Sequence, residues 1–184
     1  MEIPGTAEDI SAEWLTDALR QGGSLGAGRV ASVQFEPIGV GVGFAGALQR
    51  ATITYSGDAG SAPESLIAKL PTQHARTRKL LNEIGAYERE VRFYQELAED
   101  AGIPVPALYY GDFDASTGAF VLLLEDLRIA RAGDQVSGCS VDDARIVVRN
   151  SAVMHARWWN SERLGRLPWL SQTADPSWTA ASQT

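Results

Sequence analysis

The sequence predicts an α+β fold, in which five short strands form one antiparallel sheet and one main helical block separates the third strand from the fourth. Runs rich in Thr, Val, Ile and Leu alternate with turn sequences at residues 56–63 and 114–118. A helical pattern fills residues 75–101, and a second helical signal begins at Ser140, after the last strand. The order of these signals favours a sheet with a helical part following it.

Composition limits the class of protein. A chain of 184 residues with 45% hydrophobic content can bury one core of domain size. Its longest apolar run, residues 119–124, is far shorter than the roughly 20 residues of a membrane-spanning helix. The start of the chain has no basic region leading into an apolar stretch, so we expect no secretory signal and a cytoplasmic protein.

Charge and cysteine content exclude further classes. The net charge of −7 argues against a surface that coats nucleic acid, because neutralising phosphates requires clustered Lys and Arg. The single cysteine, Cys139, excludes an internal disulfide framework. We expect no nucleic-acid partner.

The first half of the chain predicts a short helix and three strands. Residues 11–21 form an amphipathic helical pattern with Ser11 as its cap, and two glycines end it. The predicted strands are Val33 to Phe35, Leu48 to Tyr55 and Leu66 to Leu70. A wide glycine-rich loop joins the first two of them.

The second half predicts helix, hairpin and helix. The block of residues 75–101 is interrupted near Gly85, and a Pro-rich stretch at 102–106 ends it. Strands at 107–113 and 119–124 follow, joined by a hairpin turn. A helix starts after Ser140 and runs towards Trp159. From Ser171 the tail has no periodicity, and we expect it to be disordered.

Gly41, Gly43 and Gly46 match the pattern G-x-G-x-x-G, which allows a backbone to approach phosphates closely. A dinucleotide site would need a helix directly after Gly46, whereas residues 52–55 are strand-like. A strand–loop–strand context is instead typical of the loop that covers ATP phosphates in kinases. The alternative is an ordinary flexible hairpin tip.

Lys69 lies in the middle of an apolar predicted strand, where an unpaired ammonium is costly to bury. In the following helix, Glu90 is the only charged residue inside the apolar arc that Tyr87, Val91 and Tyr94 form. Because each charge needs a partner, we predict a Lys69–Glu90 ion pair. The alternative is that both side chains reach water separately.

These motifs carry a resemblance to a known family. Residues 66–71, 87–94 and 102–106 resemble the aminoglycoside-phosphotransferase-like kinases, and are most similar to their ecdysteroid-kinase-like branch of small-molecule kinases. Residues 120–127 are similar to the last strand and hinge of that family, and 154–159 to its first large-lobe helix. The resemblance covers about residues 3–170, and concerns the amino-terminal part of the family.

The resemblance implies a domain organisation. An N-terminal helical extension would occupy residues 1–30, and a protein-kinase-like N-lobe, with its antiparallel five-stranded sheet and one main helix, residues 31–126. The start of a helical C-lobe would occupy residues 127–170, leaving the tail at 171–184.

The resemblance also implies a nucleotide site. Gly41, Gly43 and Gly46 would form the phosphate loop, Lys69 would contact the ATP phosphates, and Glu90 would hold Lys69. The backbone at the hinge, which comprises Leu124, Glu125 and Asp126, would bind adenine. Leu122 and Leu123 would help to form an apolar slot for the base.

The family transfers the γ-phosphoryl group of Mg-ATP to a hydroxyl of a small molecule. It uses a catalytic aspartate in a loop of His-Gly-Asp type, with a metal-binding asparagine and aspartate further on. Neither His74 nor His155 is followed two residues later by Asp. We therefore predict no catalytic and no metal-binding residue in this chain, and expect the Mg²⁺ ligands in a missing C-lobe.

On this interpretation the chain is the ATP-binding portion of a phosphotransferase, truncated before the catalytic loop and inactive alone. The alternative is a non-catalytic nucleotide-binding or interaction module. Three other features are predicted to be structural: the Asp112–Asp114 pair, His155 and Cys139. We also expect the helix from Val141 to Trp159, with Trp158, Trp159, Leu167 and Trp169, to expose an apolar face that would pack inside the missing lobe, and to cause self-association.

Overall fold

A computed structural model describes residues 1–39, 46–131, 133–134 and 136–170. The described residues form an α+β fold. Its strands are β1 (Arg29–Ile38), β2 (Gly46–Ser56), β3 (Ser65–Pro71), β4 (Leu108–Asp114) and β5 (Ala119–Glu125). Its α-helices are α1 (Ala12–Gln21), α2 (Ala75–Glu83), α3 (Ala86–Glu96) and α4 (Val141–Trp158). Short 3-10 turns lie at Ala7–Asp9, Ala98–Asp100 and Leu164–Arg166.

The five strands form one sheet in the order β1-β2-β3-β5-β4, and all neighbouring strands are antiparallel. The predicted antiparallel five-stranded sheet is therefore confirmed. Placing β5 between β3 and β4 brings the end of β5 next to the middle of the sheet, although residues 72–107 separate β3 from β4 along the chain.

The sheet separates two hydrophobic cores. Successive side chains of β5 point to opposite faces, as the pleat requires. Val121 and Leu123 pack in the core that α1 covers, whereas Leu122 packs with the helices α2 and α3 on the other face. All three side chains are fully buried, and burial of each contributes roughly 1.5–3 kcal/mol. Strand β5 thus belongs to both cores.

The helices begin where the sequence predicts. Ser11 caps α1 by accepting a hydrogen bond from the Trp14 N–H at 3.0 Å. The predicted interruption of the second helical block lies at Gly85, which adopts a left-handed conformation with φ of 67°. This conformation favours glycine, and it lets α3 start in a new direction after α2 ends.

Strand β1 is longer than predicted, because it covers ten residues instead of the three from Val33 to Phe35. It lies at the edge of the sheet, and only Val30 among its side chains is fully buried. An exposed edge strand lacks the apolar alternation on which the prediction depended.

Helix α4 has no buried side chain among its residues. Met154 and Trp158 of this helix line an apolar pocket with Phe93 and Leu97, and Arg157 together with residues that follow the helix makes polar contacts. Asp100 accepts hydrogen bonds from Arg157 at 3.0 Å and from Arg163 at 2.6 Å, and the Trp169 indole N–H donates to Glu96 at 3.1 Å. The predicted exposure is confirmed at Trp159, whereas Trp158, Leu167 and Trp169 are half-buried. The other exposed apolar side chains of the helix are Val141, Ile146, Val147, Val148 and Val153.

Across the described ranges, every helix is too short or too polar to cross a lipid bilayer.

Candidate functional site

A cleft of about 440 Å³ opens on the α3 side of the sheet, beside the end of β5. Its volume falls in the range of small-molecule sites. Four strands supply apolar side chains to it, namely Ile38, Leu48, Ile67 and Leu124. Tyr94, Pro106, Leu127 and Ala130 also line it. Its charged lining residues are Arg50, Lys69, Glu90, Glu125, Asp126 and Arg128. The cleft is therefore an apolar slot with charges around it.

Strand register explains why these side chains meet. Leu48 lies opposite Ile38 on one side and opposite Lys69 on the other. Two residues further along β2, Arg50 lies opposite Glu36 and Ile67. Because directly opposite residues point to the same face of a sheet, two rows of side chains run side by side along the cleft.

The predicted Lys69–Glu90 ion pair is present. The Lys69 Nζ lies 2.5 Å from the Glu90 Oε1, with 20% of the lysine side chain and 30% of the glutamate side chain exposed. Glu90 precedes the buried Val91 on α3, so the helix presents the carboxylate at the edge of its packed face. The alternative, in which the two side chains reach water separately, is wrong.

The glycine motif is described only at its end. Gly41 and Gly43 lie outside the described residues, whereas Gly46 starts β2 opposite Pro71. A Cβ at position 46 would lie 2.7 Å from the Leu70 carbonyl oxygen and 3.4 Å from the Lys69 Cε. Glycine is therefore required here for β2 to approach β3 beside Lys69.

The hinge residues are placed at the cleft, but part of their hydrogen-bonding capacity is already used. The Glu125 N–H donates to the Ala107 carbonyl at 2.8 Å, and the Ala107 N–H donates back to the Glu125 carboxylate at 3.1 Å. Just after the hinge, the Leu127 N–H has no hydrogen-bond partner among the described residues. The backbone that can accept a ligand therefore begins after the Glu125 N–H.

The expectation that Leu122 and Leu123 help to form the apolar slot is wrong. Leu123 points to the α1 face, away from the cleft, and Leu122 is fully buried beneath α3. Adjacent residues of one strand cannot line the same slot, because their side chains point to opposite faces. Leu124, with Ile38, Leu48 and Ile67 from the neighbouring strands, forms the slot instead.

Sequence reasoning assigned no role to Arg50, which the structure places at the centre of a polar network. Its Nε donates to the Asp126 Oδ2 at 2.9 Å, and its NH1 donates to the Glu36 Oε1 at 2.8 Å. Ser65 donates to the same oxygen of Asp126 at 2.9 Å. A lone arginine in a predicted strand has the same need for a partner as Lys69, and this signal could have identified it.

The Asp126 carboxylate is held in its charged form. Burial is the largest single influence and raises the pKa of Asp126. The hydrogen bonds from Arg50 and Ser65, together with the charges of Arg50 and Arg128, outweigh burial, so the pKa of Asp126 lies below its ordinary value. The hydrogen bonds that Arg50 donates to Glu36 and Asp126 in turn raise the pKa of Arg50.

The acids predicted to be structural have local partners. Asp112 accepts hydrogen bonds from the Tyr110 hydroxyl and the Phe113 N–H. Asp114 accepts from Ser116 and Thr117 in the hairpin turn, and these bonds lower the pKa of Asp114. Within the described part of the chain, no three His, Cys, Asp or Glu side chains gather in a group that could hold a metal ion.

Comparison with known proteins gives one match. The model of the ecdysteroid kinase-like family matches residues 40–158, which is well over half of the chain and includes Lys69, Glu90 and the hinge. Searches of curated proteins and of solved structures found no match. The chain belongs to the ecdysteroid kinase-like family.

Proposed function

We propose that this chain is the nucleotide-binding part of a small-molecule kinase, and that ATP occupies the cleft beside the end of β5. One observation carries the proposal. The cleft joins an apolar slot at a strand end to a lysine held by a glutamate, and these are the two features by which kinases bind the base and the phosphates of ATP.

The fold supports a kinase-like N-lobe. Such a lobe needs an antiparallel sheet, with a lysine on its third strand and a glutamate on the helix packed against it. Here Lys69 is on β3, Glu90 is on α3, and α3 packs on the sheet through Val91. The family match is consistent with this arrangement.

The adenine base would lie in the slot between Leu48 and Leu124. An adenine base can bind a backbone N–H donor and a backbone carbonyl acceptor that lie side by side, as it binds the edge of another base in base pairing. The Glu125 N–H is already bonded to Ala107, so we assign the contacts to the Glu125 carbonyl and the Leu127 N–H. The Glu125 carbonyl belongs to the predicted hinge, Leu124 to Asp126, whereas the Leu127 N–H lies one residue beyond it.

The phosphates would extend from the slot towards Lys69 and Gly46. Lys69 supplies one positive charge at this end, and Glu90 fixes its direction so that little side-chain entropy is lost when phosphate binds. Mg²⁺ would accompany ATP and neutralise part of the phosphate charge. We assign no residue of this chain as its ligand.

The reaction of the complete kinase would be transfer of the γ-phosphoryl group to a hydroxyl of a small acceptor molecule. The bond between the γ-phosphorus and the ADP oxygen breaks, a bond to the acceptor oxygen forms, and the hydroxyl proton passes to a base. Positioning and charge neutralisation supply most of the catalysis in such reactions. We assign no catalytic residue in this chain.

The chain offers a matched pair of variants, because it contains only two lysines. Lys69→Ala removes the lysine of the cleft. Lys79→Ala removes an exposed lysine of α2 that pairs with Glu83 at 3.8 Å, outside the cleft. Calorimetry of ATP binding with Mg²⁺ should show at least about tenfold weaker binding for Lys69→Ala, which corresponds to about 1.4 kcal/mol, and no change for Lys79→Ala.

Glu90→Gln tests the second half of the pair. It keeps the shape of the side chain but removes the charge that directs Lys69, so ATP binding should weaken by a smaller factor than in Lys69→Ala. Equal binding by the wild type and Lys69→Ala would contradict the proposal. So would a folded wild-type chain that does not bind ATP.

A further inference from the structure

We propose that Arg50 and Asp126 together form a positioning device for the base-binding end of the cleft. The inference rests on the proposed nucleotide site. It adds that recognition of the base, as distinct from the phosphates, depends on an ion pair between β2 and the hinge.

The first step concerns the location of Asp126. It directly follows β5, and only 3% of its side chain is exposed. A buried carboxylate is stable only when it is hydrogen-bonded and paired with a positive charge. Its Oδ2 accepts from both the Arg50 Nε and the Ser65 Oγ, each at 2.9 Å. The side chain is therefore tied to β2 and β3 together.

The second step concerns Arg50, which connects more than one strand to the hinge. Its planar guanidinium presents separate N–H groups in fixed directions, and it uses them for Asp126 and for Glu36 of β1. Arg50 lies opposite Ile67, and Ile67 lies opposite Leu124. A single residue in the wall of the cleft thus connects β1, β2, β3 and the hinge.

The third step concerns the neighbouring residue. The carboxylate and the N–H of Glu125 are bound to Ala107, at the start of β4, while Asp126 is bound to β2 and β3. Two consecutive residues are therefore anchored to strands on opposite sides of β5, Glu125 towards β4 and Asp126 towards β3 and β2. These two anchors fix the position of the peptide group between Glu125 and Asp126, which includes the Glu125 carbonyl. They also fix the backbone that leads to the Leu127 N–H.

Arg50 lies one row away from Lys69, and its Nε and NH1 already donate to the carboxylates of Asp126 and Glu36. Lys69 lies opposite Leu48, two residues along β2 from Arg50, and Gly46 lies two residues further along β2. Loss of the Arg50–Asp126 pair should therefore loosen the base contacts and leave the phosphate contacts intact. A residue needed only for the stability of the fold would affect both kinds of contact equally.

The test uses two probes, ATP and inorganic tripolyphosphate, each with Mg²⁺, titrated into the full chain. Asp126→Asn keeps the shape of the side chain and removes its charge, and Arg50→Lys keeps the charge and removes the fork of donors. Both should weaken ATP binding by about fivefold or more and leave tripolyphosphate binding within about twofold of the wild type. Lys69→Ala should weaken both probes.

Arg92→Lys is the matched control, because Arg92 on α3 also bridges two carboxylates, those of Glu88 and Glu96, and does not line the cleft. It should change neither probe. Ser65→Ala provides a milder variant, which removes one of the two hydrogen bonds to Asp126 and should shift ATP alone by a smaller factor. Thermal melting identifies any variant that has not folded.

The outcomes are distinct. Unchanged ATP binding in Asp126→Asn and Arg50→Lys, or equal weakening of both probes in folded variants, would overturn the positioning role and leave the nucleotide site standing. A wild-type chain that binds ATP no more tightly than tripolyphosphate would overturn base recognition in the cleft. No binding of either probe would overturn the proposed function itself.

Discussion

The sheet with α1, α2 and α3, here called the sheet lobe, differs sharply from α4 in how its apolar side chains are used. In the sheet lobe, Leu66, Leu123 and Val91 have almost no exposed surface. In α4, Val141 and Val148 are each 68% exposed. The two regions have similar kinds of residues, yet only one of them forms a core.

This difference indicates where the stability of the described chain resides. Burial of apolar surface is the dominant favourable contribution to folding, and exposed ion pairs contribute little. The sheet lobe has two cores, whereas α4 has no buried side chain; Arg157 of α4, and Arg163 beyond its end, pair with Asp100. We infer that the stability of the sheet lobe determines global unfolding and that α4 contributes little to it.

The largest expected effect compares Leu66→Ala with Val148→Ala. Leu66 is fully buried in the core that α1 covers, and its truncation should lower the free energy of unfolding by about 3–5 kcal/mol because a cavity remains. Val148→Ala removes an exposed side chain and should change the free energy by less than about 0.5 kcal/mol. Urea unfolding followed by circular dichroism measures both. Similar losses in the two variants would remove the distinction between the regions.

A smaller effect is expected at high pH. Burial raises the pKa of Tyr55, whose hydroxyl donates to the Pro63 carbonyl at 2.7 Å, to about 12. The folded state therefore holds the Tyr55 proton more tightly than the unfolded state does. The contribution of Tyr55 to the free energy of unfolding is fully present below about pH 10 and is lost as the pH rises towards 12. We expect a loss of about 1–2 kcal/mol over this interval.

Tyr55→Phe tests this pH dependence. The variant lacks the titrating hydroxyl, so its free energy of unfolding should fall less between pH 9 and pH 11.5 than that of the wild type. At pH 9 the variant should be less stable than the wild type, because it lacks the hydrogen bond to the Pro63 carbonyl. Chemical denaturation at each pH gives the two curves. Parallel curves for the variant and the wild type would assign the alkaline loss to other groups.

The smallest effect concerns association through α4. The exposed valines of this helix form an apolar surface that favours contact between copies of the chain. Val148→Glu places a charge on this surface and should raise the concentration needed for association about tenfold. Gln21→Glu, at the exposed end of α1, adds the same charge to the sheet lobe and should have no effect. Sedimentation velocity over a wide concentration range distinguishes them, and a monomeric wild type throughout would show that the surface is inert.

The sequence predicted most of the fold, because its signals are local. Ser11 caps a helix, Gly85 interrupts one, and β3 and β5 are apolar runs bounded by turns. The full length of β1 could not be predicted, because an exposed edge strand lacks alternation. Sheet order and register depend on contacts between distant residues, which a pattern in one segment does not contain.

The site divides in the same way. Lys69 and Glu90 were predictable because each is a single charge in an otherwise apolar pattern, only 21 residues apart. Arg50 and Asp126 are 76 residues apart, so the sequence signals that the lone Arg50 needs a partner without indicating which residue that partner is. The apolar slot was assigned to Leu122 and Leu123, because the pattern located the buried strand without showing which of its faces meets the cleft.

Strand β5 has one further consequence, which concerns mechanics. Its side chains are embedded in packing on both faces, and its last residues border the cleft. A densely packed interior resists compression and transmits displacement instead of absorbing it. Packing on both faces should therefore keep β5 from bending along its length. A displacement of its last residues, which are anchored to Ala107, Arg50 and Ser65, should move the sheet lobe as a whole, and bending should be confined to the chain beyond Asp126.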